Sequence, residues 1–237
     1  MDIAVLMCHA IIMGMSYAAP VPRPEQDGQN EYDTMRLFRS GPKVPVVCCI
    51  LIAINILVFV VMHVRYDTID AAFFIAHGGM YPPAVHDGEW WRLITCLFLH
   101  ANTYHLMNNM IMLFAVGAFV EEALKPLKFL ILYFGCGIGA SLASYFYAGL
   151  DTGMVSVGAS GAIFGILGTL IYIVLRHKGH YARLSWKGML LLLALSIYYG
   201  FASGGIDNAA HLGGLVIGFL LGILLYRKPK YFVKKAS

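Results

Sequence analysis

The segment Gly158-Ala159-Ser160-Gly161-Ala162-Ile163-Phe164-Gly165 sets a hydroxyl at the head of an apolar run that continues to Leu175. Gly158 and Gly161 leave room for an incoming carbonyl, and a helix N-terminus supplies unpaired N–H groups and the positive end of a dipole. Such a place can stabilise a developing oxyanion. Small residues are also common wherever membrane helices pack, so the serine alone does not establish a nucleophile. A second segment, Ala209-Ala210-His211-Leu212-Gly213-Gly214-Leu215-Val216-Ile217-Gly218, puts an ionisable side chain into another apolar run, where such groups are costly and usually functional. His211 and Gly214 are three apart, and Gly214, Gly218 and Gly222 recur every four, so one helical face carries the histidine and the glycines. Gly161, Gly165 and Gly168 form a matching stripe. Two such stripes let helices approach closely enough for Ser160 and His211 to hydrogen-bond as nucleophile and base. Asp207, one turn before His211, reads as a helix cap, not as a third catalytic member.

His105 and Asn109 lie four apart and can aim at one oxygen, although residue type alone would equally make them polar glue between helices. Together these blocks resemble the rhomboid family of intramembrane serine proteases, which carries Gly-x-Ser-Gly and Ala-His-x-x-Gly-x-x-x-Gly in separate helices. Trp91-Arg92 is similar to the family's Trp-Arg pair in the first long loop, and His100, His105 and Asn109 are similar to its His-x4-His-x3-Asn pattern. The resemblance covers about residues 45–226, with four separated motifs in family order, and does not extend over 1–44. It implies a serine endopeptidase with a Ser160–His211 dyad, cutting in or near transmembrane segments of membrane proteins. It further implies an oxyanion hole from His105, Asn109 and the Ser160 N–H, a supporting His100, Phe164 packed on the catalytic imidazole, and Arg92 bracing the loop. The alternative is a non-catalytic rhomboid-like protein that binds and sorts membrane helices. Such proteins are marked by loss of the serine or histidine, and both are present here.

Other chemistries lack their residues. A zinc protease needs His-Glu-x-x-His and an aspartyl type needs paired aspartates within spans, and neither occurs. His77, His86, His100 and His105 have no i, i+4 ligand pair and no nearby acid, so neither a metal nor a cofactor is expected. The five cysteines show no Cys-x-x-Cys spacing and are expected to be small buried residues, and Cys96 with His100 one turn later makes a poor thiol dyad.

The elements that must carry these residues follow from composition. At 59% hydrophobic and 13% charged, the chain far exceeds the apolar share of a soluble domain, about 45–50%. Its apolar runs have the length of about 17–25 residues that crosses a bilayer. An all-α, polytopic six-transmembrane-helix bundle is expected, with spans near 46–64, 104–121, 127–148, 159–176, 187–202 and 208–226. The long segment 65–92, with Gly78-Gly79 and Pro82-Pro83, is by resemblance a partly embedded first loop that brings Trp90 and Trp91 to the interface. Residues 1–45 form an N-terminal segment and cytoplasmic linker, 46–226 the rhomboid-like membrane protease domain, and 227–237 a basic tail. Residues 3–19 fit a marginal span, an interfacial helix or a signal-like segment. All of the 17 Lys and Arg except Arg65 and Arg92 fall on one side of this arrangement, so both ends of the core are expected to be cytoplasmic, in a plasma membrane. The charge of +4 reflects that bias and not nucleic-acid binding, for no basic stripe is interleaved with exposed aromatics. The expected partners are the bilayer and transmembrane substrates. Gly179, in a cytoplasmic loop, is expected to tolerate a larger side chain.

Overall fold

The computed structural model describes residues 44–150, 153–181, 184–190, 193–194 and 207–228. Its long helices are α1 (Val46–Arg65), α5 (Thr103–Leu124), α6 (Pro126–Ala148), α7 (Ser160–Arg176) and α8 (Asn208–Leu225). Between α1 and α5 lie the short helices α2 (Ala71–Ala76), α3 (Pro82–His86) and α4 (Arg92–Thr95), then a 3-10 turn at Cys96–Phe98. A two-residue hairpin, β1 (His180–Tyr181) with β2 (Leu184–Ser185), follows α7. Helices α1, α5, α6 and α8 are long and apolar enough to cross a membrane, and α7 is a shorter apolar helix of 17 residues. The chain is an integral membrane protein. The expected spans at 46–64, 104–121, 127–148, 159–176 and 208–226 coincide with these helices. The expected span at 187–202 falls largely outside the described residues, as do 1–43 and 229–237.

Helix boundaries sit where local chemistry puts them. Asn102 caps α5 by accepting the His105 N–H at 2.9 Å, and Asp207 caps α8 by accepting the Ala210 N–H at 2.9 Å. Pro126 opens α6, where a missing N–H costs nothing, and Gly149 ends it at φ 71°. The start of α1 is capped from a distance. Its Val47 and Cys48 N–H groups each donate at 2.9 Å to the buried carboxylate of Glu121, near the end of α5.

Contacts between helix ends define the bundle's two poles. The Glu121 bonds bring the start of α1 to the end of α5, Lys128 Nζ donates to Leu225 O, and His177 bonds Tyr226. The opposite pole gathers the starts of α7 and α8. Helix α7 is central, packed against α5, α6 and α8, and its Ile166, Leu170 and Ile173 are buried. Helices α1 and α8 turn apolar side chains such as Leu57, Val64, Leu220 and Leu224 outward, as lipid-facing helices do.

Two expectations are corrected. Cys48, Cys96 and Cys136 are buried, but Cys49 is exposed, one position around α1 from Cys48. Gly179 is not a permissive loop glycine, for it sits at φ +90° and a Cβ there would lie 2.9 Å from Trp186 Cδ1.

Candidate active site

Ser160 is the first residue of α7, and His211 lies in the first turn of α8. Their side chains meet, with Nε2 of the imidazole 2.9 Å from the serine Oγ. Phe164, one turn below Ser160, stacks on the imidazole with ring centroids 4.2 Å apart and planes 12° from parallel. The ring is thereby held in one orientation. The Asp207 carboxylate is engaged by other groups, one oxygen capping Ala210 and the other accepting from Ser144.

This meeting requires nearly touching backbones. A Cβ on Gly214 would strike the Gly161 carbonyl, one on Gly218 the Gly165 carbonyl, and one on Gly168 the Leu215 carbonyl. At Gly222 it would lie 3.2 Å from Thr169 Cα, and Thr169 donates its hydroxyl to Gly218 O at 2.6 Å. The other side of α7 is equally tight. A Cβ on Gly161 would lie 2.6 Å from Ala140 Cβ, and one on Gly165 would meet Cys136, so these two glycines admit α6 while their carbonyls abut α8. The small residues expected to serve one contact serve two.

His105 and Asn109 converge just ahead of Ser160. A Cβ on Gly158 would lie 2.7 Å from both Cε1 and Nε2 of His105 and 3.3 Å from Asn109 Nδ2, and Gly158 itself has φ +118°, a conformation glycine adopts readily. Asn109 is buried, and its Nδ2 has no hydrogen-bond partner. A buried amide donor left unpaired costs free energy and is rare. Here it lies beside Gly158, two residues ahead of Ser160, so together with His105 it can donate a hydrogen bond to an oxygen brought to that place. His100 is fully buried, its ring edge-on to His105 with centroids 5.1 Å apart, and neither of its nitrogens has a partner. Burial, and then the neighbouring His105, lower its pKa to about 3, so it is neutral at physiological pH.

The loop preceding α5 is tied to the site. Arg92, only 5% exposed, donates through Nη1 to Ile75 O at 2.7 Å and Gly79 O at 3.0 Å, and its Nε donates to Glu89 at 2.7 Å. Its guanidinium lies 4.8 Å from the centroid of the half-exposed Trp91 ring. Met80 and Ser156 exchange backbone hydrogen bonds, and the Gly158 N–H donates to Cys96 O at 2.8 Å. The chain leading into Ser160 is thus hung from the loop. Cys96 itself bonds Ser141, and burial pushes its thiol up to about 12, which favours the protonated thiol.

Sequence reasoning missed Glu89, Ser141 and Ser144. Glu89 had a usable signal, three residues before Arg92 with opposite charge. The serines had none, since their partners lie 48 and 63 residues away. Among the described residues, no group of three or more His, Cys, Asp and Glu could hold a metal.

The model of the family described as Rhomboid domain matches residues 87–228. The chain is 33% identical over 189 residues to Rhomboid protease GluP of Bacillus subtilis, covering 80% of this chain and 36% of that protein. It is 39% identical over 150 residues to the Putative rhomboid protease YdcA of the same organism, covering 63% of this chain and 74% of that one. Against Rhomboid-like protease 1 of Toxoplasma gondii the identity is 34% over 192 residues, with 76% and 64% covered. The match thus spans about a third of GluP and most of YdcA.

Proposed function

Because the chain belongs to the rhomboid family, we propose that it is an intramembrane serine endopeptidase that hydrolyses peptide bonds in or near transmembrane segments. The observation that carries this reading is the 2.9 Å contact between His211 Nε2 and Ser160 Oγ at a helix N-terminus. In the proposed reaction Ser160 Oγ attacks the scissile carbonyl carbon while His211 takes the hydroxyl proton at Nε2. The carbonyl oxygen becomes an oxyanion, received by the Ser160 N–H, His105 and the unpaired Asn109 amide. His211 then returns the proton to the departing amine, leaving an acyl-enzyme that water hydrolyses by the same steps in reverse roles. Phe164 keeps the imidazole flat and shields it, and Gly158 leaves a narrow approach that suits small residues before the cut.

The proposed setting is a six-helix bundle with both ends of the core cytoplasmic in a plasma membrane and the first loop partly embedded. The pole holding Ser160 and His211 then faces outward, within reach of water. Helical backbone conceals its carbonyls, so substrates should be transmembrane segments that unwind easily near their outer end.

Labelling of detergent-purified protein with a fluorophosphonate, together with cleavage of a transmembrane reporter, tests this. Wild-type protein should label and cleave, while Ser160→Ala and His211→Ala should each abolish both, with no further loss in the double variant because the pair acts as a unit. A folded Ser160→Ala protein that still cleaved would end the proposal, and a chain that only sorted membrane helices would do neither.

A further inference from the structure

Asp207 is one turn before the imidazole, and both of its carboxylate oxygens are held by other groups. One oxygen accepts the Ala210 N–H at 2.9 Å, and the other accepts the hydroxyl of Ser144, which is fully buried on α6 one turn before that helix ends. The backbone carbonyl of Asp207 accepts the His211 N–H at 3.1 Å. A single residue therefore caps α8, begins the hydrogen-bond ladder at His211 and fastens that turn to a third helix.

We propose that Asp207 and Ser144 form a clamp that sets the height of His211 against Ser160, making both positioning residues for the reaction; this rests on the protease reading above. The need for a clamp follows from the glycine faces. Contacts of Gly214 and Gly218 with the Gly161 and Gly165 carbonyls fix how near α8 comes to α7, but bare backbone has few side-chain ridges to oppose sliding along the axis. Each residue of slip moves a helix about 1.5 Å along its axis, and a misplacement of about 1 Å can cost about a hundredfold in rate. The Thr169 bond to Gly218 and the His177 bond to Tyr226 oppose sliding deeper in the bundle and at the far pole. At the pole that holds the imidazole, that constraint comes from Ser144 through Asp207. Gly213 packs on Ala143 beside it, so α6 and α8 are already in contact where the bond forms.

A carboxylate acting as a clamp differs from one acting by charge. Asparagine keeps an oxygen for Ala210 and offers an amide to the Ser144 hydroxyl, but carries no charge. The experiment measures kcat and KM on a transmembrane substrate, with the fluorophosphonate labelling rate, for Asp207→Ala, Asp207→Asn, Ser144→Ala and the alanine pair. Asp207→Ala is expected to lose about tenfold or more in kcat and labelling rate with KM within about twofold. Asp207→Asn should recover to within about threefold of wild type. Ser144→Ala, which leaves the cap intact, should lose several-fold, and the double variant should resemble Asp207→Ala alone. Wild-type kcat in Ser144→Ala would overturn the clamp, as would Asp207→Asn being as impaired as Asp207→Ala. A wild-type protein that neither labelled nor cleaved would bring down the protease reading and this one with it, whereas the first two outcomes remove the clamp and leave the protease standing.

Discussion

Asn109 keeps a buried amide nitrogen without a partner while its neighbour His105 leans over Gly158. An amide nitrogen that makes no hydrogen bond in the resting protein contributes none to stability, so none is lost when it is removed. Asn109→Ala should therefore change thermal stability by less than about 1 kcal/mol, since the desolvation cost of an unpaired amide disappears with it. Its effect belongs to the transition state. Turnover should fall by about 10²–10³, the usual loss of one oxyanion donor, with KM little altered. Steady-state kinetics beside a melting curve would check both, and a variant with normal kcat but weaker binding would return Asn109 to a packing role. At this scale the sequence was most readable at short spacing, where helical periodicity alone puts His105 and Asn109, or Ser160 and Phe164, on one face. The meeting of Ser160 with His211 could be inferred because both segments carry small residues at helical intervals. Ser144 and Glu121 were opaque, because a lone serine or glutamate in an apolar helix states its burial but not its partner.

Helices α7 and α8 touch through backbone, so the smallest side chain is already too large. Gly214→Ala should cost about 1–3 kcal/mol through overpacking and lower turnover on the order of a hundredfold by pushing His211 away from Ser160. The control is Gly88→Ala. Gly88 also has no side chain and lies at φ +104°, but nothing stands within 4 Å of where its Cβ would be, so only backbone strain of about 1 kcal/mol is expected. Thermal melting and turnover of the two variants separate collision from strain, and equal behaviour would refute the contact argument. Gly179 could not serve as that control, because Trp186 lies against it. The sequence placed Gly179 in a loop correctly but could not show which loop glycines are covered. The segment 65–92 read as one irregular loop for a related reason. Its two short helices are too brief to show periodicity and are held from α4 by Arg92 and Thr95, which bond carbonyls 13 and 17 residues earlier.

Across the whole molecule, Lys125, Lys128, Arg176, Arg227 and Lys228 flank the helix ends of one pole, while the opposite pole holds the Ser160–His211 pair. Positive charge on the cytoplasmic side then predicts an outward site. In a chain with Cys8 and Cys49 replaced by alanine, Gly153→Cys should react with a membrane-impermeant maleimide on intact cells. Lys228→Cys should react only after lysis, and the reverse pattern would invert the topology. Glycine periodicity and charge made the poles legible, whereas the bond from Glu121 to the start of α1 was not, because 73 residues separate its ends. That bond also orders the molecule in time. Helix α1 precedes α5 along the chain, so the bonds from the Val47 and Cys48 N–H groups to Glu121 form only once α5 has been made. The cap of the first described helix is therefore completed by the same helix that carries His105 and Asn109.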